Sequence, residues 1–155
     1  MNKYMIITGI FLAILVVSAT AIFILNTDKA NLSPKNLEEC NTLTFNNENA
    51  INLVFFSTKE QAKKYSDFFL TIEPFKSNKN TFNFFYIDSY TPECELYQEI
   101  AILCYSKELI KKAASCPNDY IVVINDKNPS SIRSSSYMNV LSLNSKHPLT
   151  VFPHE

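Results

Sequence analysis

Glycine is almost missing from this sequence, with Gly9 the only one among 155 residues. Motifs that fold backbone around a phosphate, or turn it sharply at a nucleophile, need several glycines. The dinucleotide fingerprint GxGxxG, the P-loop and the GxSxG nucleophile elbow are therefore excluded. Tryptophan is absent, and charge of neither sign is in excess: fourteen Lys and Arg oppose fifteen Asp and Glu, for a formal net charge of -1. So balanced a chain lacks the basic footprint of a nucleic-acid-binding domain, and no nucleic-acid partner is expected. The cysteines form no CxxC pair, which removes zinc knuckles and thioredoxin-type redox sites. What the chain does have is apolar bulk. Twelve Phe and eight Tyr stand within a composition that is 46% hydrophobic, enough to pack the core of one domain of ordinary size.

Residues 5–25, MIITGIFLAILVVSATAIFIL, carry no charge. At about 1.5 Å per residue, a helix of that length is roughly 31 Å long and matches a bilayer's hydrocarbon core of about 30 Å. The sequence thus predicts a transmembrane helix or signal anchor over 5–25, a cytoplasmic N-terminus over 1–4, and a single-pass protein of the cell membrane with residues 26–155 extracellular and the lipid bilayer as partner. The competing reading is a cleaved signal peptide, with Ile6 to Val17 as its apolar region and Ala19-Thr20-Ala21 as the cleavage site. Both readings export the remainder. Cys40, Cys94, Cys104 and Cys116 all follow the apolar run, an even number suited to two disulfides in an oxidising compartment, with three connectivities open. A nucleophilic Cys working with His147 has no local signature in its favour.

Residues 26–49 hold seven Asn, one Pro and scattered apolar positions, and read as a membrane-proximal linker. Asn31-Leu32-Ser33 matches the glycosylation acceptor pattern, as a chance occurrence would. The compact domain is expected over 50–155. Ile51 to Phe56 reads as a strand buried on both faces. Thr58 and Gln61 make a capping-box pair ahead of Ala62, Tyr65, Phe68 and Phe69, whose spacing predicts an amphipathic helix. Phe82 to Asp88 and Tyr120 to Asn125 read as further strands, and Met138 to Leu143 as a weaker one. Residues 93–115 read as helical, with Ser106 able to cap a second helix and divide them. Asp126 to Ser136, with five serines, reads as a solvated loop, and Lys63-Lys64 and Lys111-Lys112 as solvated helix faces. Strands alternating with helices predict a three-layer α/β domain with a mainly parallel sheet. The last residues, His147 to Glu155, read as the opening of a helix with Pro148 in its early, tolerated position.

His154-Glu155 is the first half of HExxH, in which two His four residues apart ligate zinc and the intervening Glu acts as general base on metal-bound water. A dipeptide alone carries little, but it closes a longer series. Ile51 to Phe56, Ile72-Glu73-Pro74-Phe75-Lys76 with Phe82 to Asp88, Ala113 to Val123, and His147 to Glu155 together resemble the exported IgA-peptidase-like family of zinc metallopeptidases, in particular small membrane-anchored archaeal members. The resemblance covers some two thirds of the chain. It implies a zincin-like domain that cleaves protein or peptide substrates, with His154 as the first zinc ligand and Glu155 as the catalytic base. The sequence departs from that pattern in two ways. It reaches Glu155 without the second His or a later ligand, so the expectation is a C-terminally truncated domain, inactive and without zinc in this chain. Pro153 also stands where the family has an aliphatic residue, and in an α-helix it would crowd the carbonyl of Leu149. The alternative is a non-enzymatic exported domain with a binding or structural role at the cell surface.

Overall fold

The structure is a computed structural model and describes residues 39–155. The acceptor sequence at Asn31 and the apolar run over 5–25 lie outside these residues. Among the described residues no helix is long and apolar enough to cross a membrane. The longest α-helix among these residues has 11 residues, about 16 Å at 1.5 Å per residue and roughly half a hydrocarbon core. The expected single-pass anchoring by a transmembrane helix therefore finds no support and is set aside, whereas two disulfides fit the extracellular placement expected for the domain.

Eight strands and two α-helices follow one another along the described chain. They are β1 (Asn41–Thr44), β2 (Ile51–Phe56), α1 (Lys59–Phe69), β3 (Phe82–Ile87), β4 (Glu95–Tyr97), β5 (Ala101–Leu103), α2 (Lys107–Ala113), β6 (Tyr120–Asn125), β7 (Ser135–Tyr137) and β8 (Val140–Asn144), with short 3-10 helices at Lys79–Thr81 and Leu149–His154. Six strands form one sheet in the order β1-β3-β2-β6-β8-β7, while β4 and β5 pair separately. β3, β2, β6 and β8 are mutually parallel, but β1 joins β3 and β7 joins β8 in antiparallel fashion. The sheet is thus mixed, which corrects the expectation of a mainly parallel one. The reason is connection length: a parallel return needs a crossover of a dozen residues or more, and the two residues Met138-Asn139 between β7 and β8 permit only a hairpin.

The apolar runs of the central strands divide their side chains between two faces by simple alternation. Val54, Phe56, Phe85, Ile87, Ile121 and Val123 point to one face, under Leu109 and Ala113 of α2 and Ile102 of β5. Leu53, Phe55, Phe82, Phe84 and Val122 point to the other, under Ala62, Tyr65 and Phe69 of α1 and Phe152 of the terminal 3-10 helix. Burial pushes the Tyr65 phenol above its ordinary tyrosine value by desolvation. α1 begins where the capping pair predicts: Thr58 is extended, and its hydroxyl accepts the Gln61 N–H at 3.3 Å. Thr58→Ala is expected to cost about 1 kcal/mol, the usual worth of such a cap. Urea unfolding would measure it, and an unchanged midpoint would show the cap to be idle.

Of residues 93–115, expected to be helical with a possible break at Ser106, only the part after Ser106 is a helix. β4 and β5 form a hairpin stapled by Cys94–Cys104, and only Lys107–Ala113 is helical, with the Ser106 hydroxyl accepting the Leu109 N–H at 3.0 Å. At the hairpin turn Ile100 donates to the Tyr97 carbonyl at 3.1 Å, and Gln98 and Glu99 adopt φ of 50° and 62°. Left-handed backbone favours Gly or Asn, and neither residue type is there to announce the turn. The second disulfide, Cys40–Cys116, ties the chain just before β1 to the chain just after α2. β1 itself draws part of the stretch read as linker into the sheet.

Candidate functional site

His154 and Glu155 stand at the end of the Leu149–His154 helix, both exposed. Pro148 opens this helix and accepts the Val151 N–H at 3.1 Å, and Glu155 donates to the Val151 carbonyl at 3.2 Å. The helix is 3-10 rather than α because Pro153 has no N–H to give the Leu149 carbonyl and its ring crowds that group. Phe152, one residue before Pro153, is 2% exposed. Its ring sits against Phe55 at 5.8 Å, Tyr65 at 6.0 Å and Phe69 at 5.1 Å between centroids, so the turn that carries His154 is fastened to the core. Glu155 borders an apolar cleft of about 270 Å³ lined by Ile51, Phe75, Phe82, Tyr120 and Phe152 among others, where β2, β3 and β6 begin.

His147, the only other histidine, does not join His154. Its Nε2 lies 2.9 Å from the Ser130 carbonyl, and its Nδ1 lies 3.4 Å from the Ser134 hydroxyl. Since a carbonyl only accepts, Nε2 carries the proton and Ser134 donates to Nδ1. The Ser134 hydroxyl in turn accepts the Asn144 N–H at 2.9 Å. This pairs a serine with a histidine, but the histidine leans on a backbone carbonyl instead of a carboxylate. What the arrangement does is pin the serine-rich loop to the end of β8. All four cysteines are in disulfides.

A catalytic zinc takes three protein ligands and a water. Among the described residues no group of three His, Cys, Asp or Glu is placed to hold a metal. His154 is one imidazole, His147 is committed elsewhere, and the residues present do not fit a zinc ion.

A second cleft, of about 430 Å³, lies at the opposite end of the strands. β2 leads through α1 to β3 on one side, and the chain then returns to place β6 on the other side of β2. The sheet's direction of winding therefore reverses between β2 and β6, and it is outside the carboxyl ends of strands at such a reversal that open α/β sheets hold ligands. Residues directly after β2, β3 and β6 line the cleft: Ser57 and Thr58, Asp88, and Asp126 and Lys127. The Ser57 N–H donates to the Ile87 carbonyl at 3.2 Å and the Ser145 N–H to the Asn125 carbonyl at 2.9 Å, so the rim is braced across three strands and the turn after β8. The sequence reading missed this cleft. Its signal in the sequence is an acidic residue directly after each of two buried strands, Asp88 after β3 and Asp126 after β6.

No protein-family model matches this chain, and no curated protein matches it in sequence.

Proposed function

We propose that this chain supplies the sheet, the helices and the His154-Glu155 step of a zinc metallopeptidase domain of the IgA-peptidase-like kind, acting on protein or peptide substrates, and that the 155 residues alone hydrolyse nothing. The observation that supports this reading is the anchoring of Phe152. It holds a one-turn helix against the core so that His154 and Glu155, the residues that match the family's first ligand and general base, emerge together into solvent beside an apolar cleft. The two disulfides fit the oxidising surroundings in which exported proteins work. The second reading, a non-enzymatic exported domain with a binding or structural role, is favoured by the lack of a three-ligand group among the described residues.

The test is a chimera in which the second His and the downstream ligand of an IgA-peptidase-like enzyme are appended after Glu155. The unextended chain is expected to retain no stoichiometric zinc after dialysis. The folded chimera should hold about one zinc per chain and cleave an unstructured protein such as casein. Glu155→Gln should abolish cleavage while zinc remains, and His154→Ala should lose the metal. A folded chimera that takes up no zinc would leave the non-enzymatic reading.

A further inference from the structure

We infer that the cleft at the carboxyl ends of β2, β3 and β6 binds a small, neutral, hydroxyl-rich ligand, of monosaccharide or disaccharide size. The inference concerns a different end of the sheet from His154 and does not depend on the peptidase reading. Volume sets the first limit: about 430 Å³ falls among ligand pockets, which run from roughly 300 to 1,000 Å³.

The chemistry of the walls narrows the ligand. The carboxylates of Asp88 and Asp126 offer only acceptors when ionised, as hydroxyl groups require. Asn125 is 9% exposed, and its Oδ1 already accepts from the Lys127 N–H and from Asn128 Nδ2, both at 3.0 Å. What Asn125 has to offer a ligand is its Nδ2 donor. Thr58 and Gln61 add a hydroxyl and an amide from the start of α1. Tyr90 provides an aromatic wall, T-shaped with Phe56 at 5.9 Å and 79°, and apolar contact with such a ring suits the C–H groups of a sugar.

Other ligand classes fit less well. A phosphate group would meet two carboxylates, and the β2-α1 turn contains no glycine to let it approach the backbone. The Gln61 N–H that a phosphate would use at the helix start is already taken by Thr58. An organic cation would meet Lys127 on the rim and the Lys112 ammonium, which lies 5.1 Å from the centre of the Tyr90 ring. The lining itself holds two carboxylates, Asp88 and Asp126, and one ammonium, Lys127, with Lys112 over the Tyr90 ring, so charge of neither sign is concentrated enough to call for a charged ligand. Among the described residues Asp88 and Asp126 belong to no three-ligand metal group.

The full 155-residue chain, with its disulfides formed, should be titrated with the methyl glycosides of glucose, galactose, mannose and N-acetylglucosamine and with their β1,4-linked disaccharides, by calorimetry and saturation-transfer NMR. At least one should bind saturably. Asp126→Asn and Asp88→Asn should each weaken that binding about tenfold or more, and Tyr90→Ala should abolish the ring-face signal, with thermal midpoints of the Asp variants unchanged. Tyr90→Phe, which keeps the ring, should retain binding and serves if the Ala variant fails to fold. The inference is overturned if no glycoside binds, if binding survives both Asp substitutions undiminished, or if only calcium or inorganic phosphate, titrated in parallel, is bound.

Discussion

Replacing Phe152 by Ala is expected to lower the stability of the domain by about 3–5 kcal/mol, the range for truncating a buried aromatic side chain. The ring is enclosed by Phe55 of β2 and by Tyr65 and Phe69 of α1. Those neighbours are held by the sheet and by the helix, so they cannot move in to fill the space, and the cavity cost adds to the lost burial. Phe152→Leu keeps much of the volume and should lose far less. Urea unfolding followed by circular dichroism measures both variants. A loss under about 1 kcal/mol for F152A would mean that the Leu149–His154 helix lies outside the cooperative core, and the placement of His154 and Glu155 would lose its support.

The second large effect is that of Cys40–Cys116. A cross-link restricts the unfolded chain more as the loop it closes grows, roughly with the logarithm of loop length. This bridge joins residues 76 apart in sequence, whereas Cys94–Cys104 joins residues 10 apart. Cys40→Ser with Cys116→Ser should therefore cost about 4 kcal/mol, and Cys94→Ser with Cys104→Ser about 3 kcal/mol. Denaturant midpoints of the two double variants under non-reducing conditions decide the order. The reverse ranking would show that restriction of the unfolded chain is not what these bridges contribute, and that the hairpin's own packing matters more.

The parts of the fold visible in the sequence are those where burial dictates composition. β2, β3 and β6 are covered on both faces and read as apolar runs with a single asparagine in each, and α1 carries both its cap and its stripe. β1 and β7 are edge strands of four and three residues, Asn-Thr-Leu-Thr and Ser-Ser-Tyr. One side of each is open, so nothing forces an apolar pattern on them. The β4-β5 hairpin was hidden for another reason: Ile102 and Leu103 fit a helical stripe equally well, and a turn through Gln98 and Glu99 uses no residue type that marks it. Buried Asn83 shows how a polar residue inside an apolar run can carry structure. Its Oδ1 accepts the Asn46 N–H at 2.7 Å, and its Nδ2 donates to the Asn47 carbonyl at 2.8 Å and to Asn52 Oδ1 at 3.0 Å, so the asparagine-rich stretch is held to the start of β3 instead of trailing free. At the candidate sites the sequence displayed His154 and Glu155 as a pattern but said nothing of their surroundings. The carboxyl-end cleft is the converse case, made by strands far apart in sequence and visible only once the strand order is known.

The two short edge strands also decide what the protein shows to other copies of itself. The segments most able to pair with like segments, Leu53-Val54-Phe55-Phe56, Phe84-Phe85-Tyr86-Ile87 and Ile121-Val122-Val123-Ile124, are rich in β-branched and aromatic residues and carry no charge, which is the signature of chains that stack into fibrils. All three lie inside the sheet, flanked by polar margins that offer few free backbone groups, and β1 carries a register shift between Thr42 and Thr44 that spoils further pairing. Among the described residues β1 is the only strand on the outer side of β3, and Cys40, next to it, ties it to the chain after α2. Reducing conditions would release that tie on β1, the strand that covers the aromatic edge of β3. The long-range disulfide thus holds in place the strand that covers the outer edge of β3.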